Sequence, residues 1–164
     1  GIWVKTSNPL IQNNIIDGGG ASIFSDSIAA GIHMYSSASA TVENNIITIT
    51  SGTNQYALSV GDVSSPPTTV RSNCIYDQGN LDYAYLDVDG TDSCVTVAEL
   101  NALYGVASNV AADPSIDWSG DWSFTGTPPT SVTEGGADLS GQFTDDLLGQ
   151  PRTVPWSMGA YEYD

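Results

Sequence analysis

Few side chains in this 164-residue chain are equipped for chemistry, and their spacing narrows what they could do. His33 is the single histidine, and Lys5, Arg71 and Arg152 are the three basic residues. A lone histidine with no second strong ligand beside it makes a poor zinc site, because zinc takes three or four protein ligands. Trp3, His33 and Tyr35 belong to two similar pentapeptides, Gly1-Ile2-Trp3-Val4-Lys5 and Gly31-Ile32-His33-Met34-Tyr35. Rings gathered on one face can stack on the apolar face of a sugar, so these three are candidate glycan contacts. Glu43 and Arg71 hold equivalent places in a second repeated stretch and complete the candidate set. They form either a cross-strand ion pair, worth under about 1 kcal/mol, or an acid beside a cationic clamp. A glycosidase needs two suitably separated carboxylates, and this column offers only Glu43. In Asp87-Val88-Asp89-Gly90-Thr91-Asp92, carboxylates surround a glycine as they do in calcium loops. Asp87, Asp89 and Asp92 are therefore candidate calcium ligands or, without the spacing and terminal Glu of an EF-hand, members of an acidic turn. No other cofactor is indicated.

The elements that would position these residues come from an internal repeat. The pentapeptides above recur more loosely as Ala57-Leu58-Ser59-Val60-Gly61, with starts 30 and 26 residues apart. Each is followed by a second motif: Leu10-Ile11-Gln12-Asn13-Asn14-Ile15-Ile16, then Thr41-Val42-Glu43-Asn44-Asn45-Ile46-Ile47, then Thr69-Val70-Arg71-Ser72-Asn73-Cys74-Ile75. Ile2 and Val4, Ile32 and Met34, and Leu58 and Val60 are two apart, the period of one strand face. Asn tolerates left-handed backbone and can turn the chain sharply between short strands. The reading is strand, turn, strand, loop, stacked one coil on the next, since a single coil cannot bury its own apolar face. It places Trp3, His33 and Ser59 in one outward column and Gln12, Glu43 and Arg71 in another. Ile15, Ile46 and Cys74 form an expected internal ladder, and Asn14, Asn45 and Asn73 a stack at the corner. Helical half-repeats and Asn-Gly hairpin turns, which other repeat or sandwich folds would use, are lacking.

The expected fold is all-β: a right-handed parallel β-helix of about three coils over residues 1–94. Residues 95–164 add one short helix and an irregular C-terminal β cap on the same solenoid. The helix is read over Val97–Tyr104, with Thr96 as its N-cap. Against three basic residues stand 19 acidic ones, a net charge of −16. Nucleic acid is excluded as a partner, because phosphate binding needs clustered Lys and Arg. Anionic membrane surfaces are disfavoured for the same reason, and no apolar run is long enough to span a bilayer. The acidity suits solubility in a saline habitat, or cation binding. Cys74 and Cys94 are expected to pair as a disulfide in an oxidising compartment.

The ending is the most specific stretch. Asn109 to Pro114 leads into Gly120-Asp121-Trp122-Ser123-Phe124 and Gly135-Gly136-Ala137-Asp138-Leu139, then Gly149-Gln150-Pro151-Arg152 and Met158-Gly159-Ala160-Tyr161-Glu162-Tyr163. With the coil motifs, this resembles the C-terminal region of secreted bacterial right-handed parallel β-helix proteins of the pectate-lyase-like superfamily. The resemblance implies the fold, an extracellular or cell-surface location and a carbohydrate association. Lyases of that superfamily carry a Lys or Arg base and an acidic calcium site on one exposed sheet, within a longer helix. The expected function is therefore a non-catalytic β-helix module of an exported protein that contacts polysaccharide. The alternative is the C-terminal part of a polysaccharide lyase or glycoside hydrolase whose catalytic coils lie upstream. Because the chain opens directly on a repeat strand, a homodimer through the uncapped N-terminal coil is also expected.

Overall fold

Period-two alternation in segments of three to seven residues produces strands too short to stand alone, and ten of them are stacked among the described residues. A computed structural model describes residues 1–19, 29–79, 81–105 and 108–163. Strands β1 (Ile2–Lys5), β4 (Ala29–Tyr35), β7 (Gln55–Val60) and β10 (Tyr83–Asp87) form a four-stranded sheet. Strands β2 (Leu10–Gln12), β5 (Thr41–Glu43) and β8 (Thr69–Arg71) form a second sheet. Strands β3 (Ile15–Asp17), β6 (Ile46–Thr48) and β9 (Cys74–Tyr76) form the third. All neighbouring strands are parallel. This is a parallel β-helix of about three coils.

The register follows the repeat. Ile2 pairs with Ile32 and Ile32 with Leu58; Ile11 pairs with Val42 and Val42 with Val70. Between the second and third strands of each coil, Asn13, Asn44 and Ser72 take left-handed backbone (φ 53°, 56° and 53°) and turn the corner. The asparagine after each turn builds a ladder. Asn14 Nδ2 donates to Asn45 Oδ1, Asn45 Nδ2 to Asn73 Oδ1, and Asn73 Nδ2 to Asn109 Oδ1, each at 3.0 Å. Asn109 Nδ2 then donates to Asn101 Oδ1 at 2.8 Å, tying the ladder to a helix.

The solenoid interior collects Val4, Ile32, Met34, Val42, Leu58 and Val70 with Ile16, Ile47 and Ile75. Gly31 lets the first and third sheets approach, since a Cβ there would lie 2.5 Å from Ile47 Cγ2. The expected internal ladder Ile15–Ile46–Cys74 has the right register but the opposite face. Ile46 and Cys74 pack outside the coil against Ile116, Val132 and Met158, with Ile15 alongside. Both neighbours in each Ile-Ile or Cys-Ile pair are apolar, so alternation alone does not say which points inward; the corner geometry decides.

After β9 the chain makes a partial fourth turn. β10 extends the first sheet, and a single parallel bridge between Cys74 and Val110 extends the third. Helix α1 (Val97–Tyr104) packs on β8 and β10 and adds Val97 and Leu100 to the interior. Thr96 Oγ1 accepts from Glu99 N–H while Glu99 accepts from Thr96 N–H, a complete capping box. Beyond it the expected cap strands are isolated antiparallel bridges, Ile116–Phe124, Gly136–Trp156 and Asp145–Pro151, with a four-residue helix α2 (Thr130–Thr133). This segment runs over the outer face of the third sheet. Gly159, at φ 89°, donates its N–H to Asn44 O, and a Cβ on it would meet Ile46.

Candidate glycan-contact surfaces

The outer face of the four-stranded sheet carries the first candidates. Trp3 pairs with His33 and His33 with Ser59, one above the next. The ring centroids of Trp3 and His33 are 5.0 Å apart, and Tyr35 lies 5.6 Å from each. Lys5 Nζ sits 5.4 Å from the Tyr35 ring centroid, within cation–π range. Although His33 belongs to the outward column, its flanking rings leave it only 5% exposed. Its Nδ1 is 2.6 Å from Ser59 Oγ. Burial lowers its pKa, opposed by the nearby Asp62 carboxylate, which raises it. Asp62 is itself pinned by hydrogen bonds from the Ser64 side chain, Ser36 N–H and Ser65 Oγ, which bring its pKa to about 2. The neutral imidazole is thus a wedge between two half-buried rings, and Trp3 and Tyr35 supply the accessible apolar surface.

Glu43 and Arg71 lie on a different sheet, so the five candidates divide into two groups. Gln12, Glu43 and Arg71 are in register on β2, β5 and β8. Gln12 Nε2 donates to Glu43 Oε2 at 2.8 Å, and Arg71 Nε to Glu43 Oε1. With both oxygens engaged and the residue 5% exposed, Glu43 links three coils rather than standing open to a substrate. The arrangement is the cross-strand ion pair of the two readings.

Asp89 and Asp92 are exposed and Asp87 half-buried, its carboxylate folded against Gly90. Among the described residues, no three His, Cys, Asp or Glu side chains converge to hold a metal ion. The expected disulfide is not formed: Cys74 and Cys94 are both free thiols. Cys74 faces the C-terminal segment and donates to Ala112 O, whereas Cys94 bridges Tyr85 and packs into the solenoid core. The wall of the solenoid stands between the two environments. Burial pushes the Cys74 thiol up to about 12, so it stays protonated.

Sequence reading missed a cleft of about 580 Å³ at the first corner, where Asn13 and Ile15 meet Trp122, Phe143, Asp145 and Arg152 from the C-terminal segment. Its walls are more than a hundred residues apart in the chain. Arg152 pairs with Glu162 at 3.3 Å and also donates to Ser157 O and Gly159 O.

This chain matches no protein-family model, no curated protein and no solved structure. Its own geometry is what speaks for its function. No helix among the described residues is long and apolar enough to cross a membrane.

Proposed function

We propose that this protein is a non-catalytic β-helix module of an exported or cell-surface protein, contacting glycans through the outer face of its four-stranded sheet. The observation that carries this reading is the Trp3–His33–Tyr35 cluster, held on hydrogen-bonded parallel strands rather than on loops. Aromatic rings present a large contact area at a small entropic cost on binding. Fixing them on paired strands lowers that cost further. The resemblance of the terminal motifs to exported β-helix proteins supports the location, and the net charge of −16 disfavours polyanionic ligands in general. Glu43 and Arg71 are outside this contact surface.

A glycan array probed with the native protein and with Trp3→Ala tests the proposal. The native protein should show a defined set of ligands, and Trp3→Ala should weaken them at least tenfold. Identical profiles for the two proteins would sink it.

A further inference from the structure

The three corner residues share one backbone conformation but use their side chains differently. Asn44 clasps the C-terminal segment: its Nδ2 donates to Ala137 O at 2.8 Å and its Oδ1 accepts from Ala137 N–H at 2.6 Å. At Ser72 the backbone N–H donates to Ser108 Oγ. Asn13, equivalent to Asn44 one coil earlier, forms no hydrogen bond through either Nδ2 or Oδ1, although both atoms are buried. A buried amide without partners costs about 1–3 kcal/mol, and native structures rarely keep one without a reason. Asn13 lines the 580 Å³ cleft, a volume typical of small-molecule sites.

A second group in the same wall makes the same demand. The Arg152 side chain is 1% exposed and its two η nitrogens are engaged, but its Nε has no partner. A ligand that satisfied both residues would offer acceptors to Arg152 Nε and Asn13 Nδ2, and a donor to Asn13 Oδ1. The surrounding charge narrows the choice. Asp121, Asp145 and Asp146 border the cleft, while the Arg152 charge is answered by Glu162. Carboxylates, sulfates and phosphates are repelled by these acids. A simple cation suits the acids but gives Arg152 Nε and the amide nitrogen no acceptor. Hydroxyl groups donate and accept alike. The remaining walls include Trp122, Phe143 and Tyr161, surfaces suited to the C–H face of a sugar ring. Trp122 is held there at φ 61°, an uncommon backbone for a bulky side chain.

We propose that this cleft binds an uncharged pyranose unit, with the Asn13 amide clasping two vicinal hydroxyls as Asn44 clasps the N–H and C=O of Ala137. It shares no residue with the Trp3–His33–Tyr35 surface and does not rest on that reading. The test is calorimetric titration of the full chain with cellotetraose, maltotetraose and mannotetraose. Tetragalacturonate and an extended tetrapeptide serve as competing chemistries. At least one neutral tetrasaccharide should bind, and Asn13→Gly should weaken it at least tenfold. Glycine accepts the left-handed corner, and the amide it removes bonds nothing, so the unfolding midpoint of Asn13→Gly should not fall. Trp122→Ala should weaken binding similarly, and Trp3→Ala should leave this site's affinity unchanged. The proposal is overturned if no neutral saccharide binds, if the tetragalacturonate or the peptide binds more tightly, or if Asn13→Gly binds as the native chain does. Loss of binding in Trp3→Ala but not in Asn13→Gly would reject the cleft and leave the sheet surface standing.

Discussion

At the scale of single residues, the burial of His33 carries a pH signature close to neutrality. Its folded pKa lies below the ordinary value of about 6.5. As pH falls through that value, the unfolded chain takes up a proton before the folded chain does, so stability declines. The contribution is fully present above about pH 6.5 and is lost on approach to the lower folded pKa. The group faces Trp3, Tyr35, Ser59 and Gly61, with Asp62 the charge that acts against the shift. Asp62 and Asp146 have lowered pKa values and lose their stabilising effect only in more acidic solution. Urea midpoints at pH 7.5 and 5.5 should therefore differ more in the native protein than in His33→Gln. Equal differences would show that the His33 proton is not coupled to folding. The outward column containing His33 was legible from its place in the repeat, but its burial was not, because that depends on how two neighbouring rings close over it. The cysteines carried even less information. Two thiols in a chain expected to be exported suggest a bridge, and nothing local reveals that Cys74 and Cys94 pack into different cores.

At the scale of elements, the asparagine ladder binds the coils to one another. Asn73 sits at its centre: Nδ2 donates to Val42 O, Arg71 O and Asn109 Oδ1, and Oδ1 accepts from the backbone N–H and Nδ2 of Asn45. Truncating it leaves buried donors and acceptors on three coils without partners. Asn73→Ala should cost about 3 kcal/mol in urea unfolding, since each orphaned buried group costs about 1–3 kcal/mol and neighbours relax in part. Asn14, half-buried at the ladder's end, should cost about 1 kcal/mol or less. Equal losses at the two positions would mean that the ladder is not energetically continuous. The ladder's first three members were readable because repeat phase puts them in register. Asn109 and Asn101, which complete it, lie outside any repeat, and only the fourth turn's path brings them into line. Helix α1 was legible to its cap because Thr96 and Glu99 are a local signal. β10 was hidden by its acidic surroundings. The irregular β cap takes the form of single bridges, side-chain clasps and turns that hold that segment in place.

At the scale of the whole molecule, the C-terminal segment is a second layer rather than only an end cap, and this changes what a core substitution should do. Ile46 and Ile47 are adjacent and fully buried, yet they belong to different cores. Ile47 faces the solenoid interior, which every coil shares. Ile46 faces the seam between the third sheet and the segment carrying Ile116, Val132 and Met158. A carboxylate buried without a partner is strongly destabilising at either site, but the damage should spread differently. Ile47→Asp should abolish the coils, with loss of the far-ultraviolet β signal. Ile46→Asp should instead lift the outer layer. Proteases should then cut between residues 115 and 163 while much of the β signal persists, and the Cys74 thiol, shielded in the native chain, should become open to alkylation. The same release should dismantle the cleft at Asn13, since Trp122, Phe143 and Arg152 travel with that layer. Limited proteolysis with mass analysis, followed by circular dichroism on both variants, distinguishes the outcomes. If Ile46→Asp loses its β signal as completely as Ile47→Asp, the two layers fold as one cooperative unit, and the seam is as essential to the solenoid as its interior.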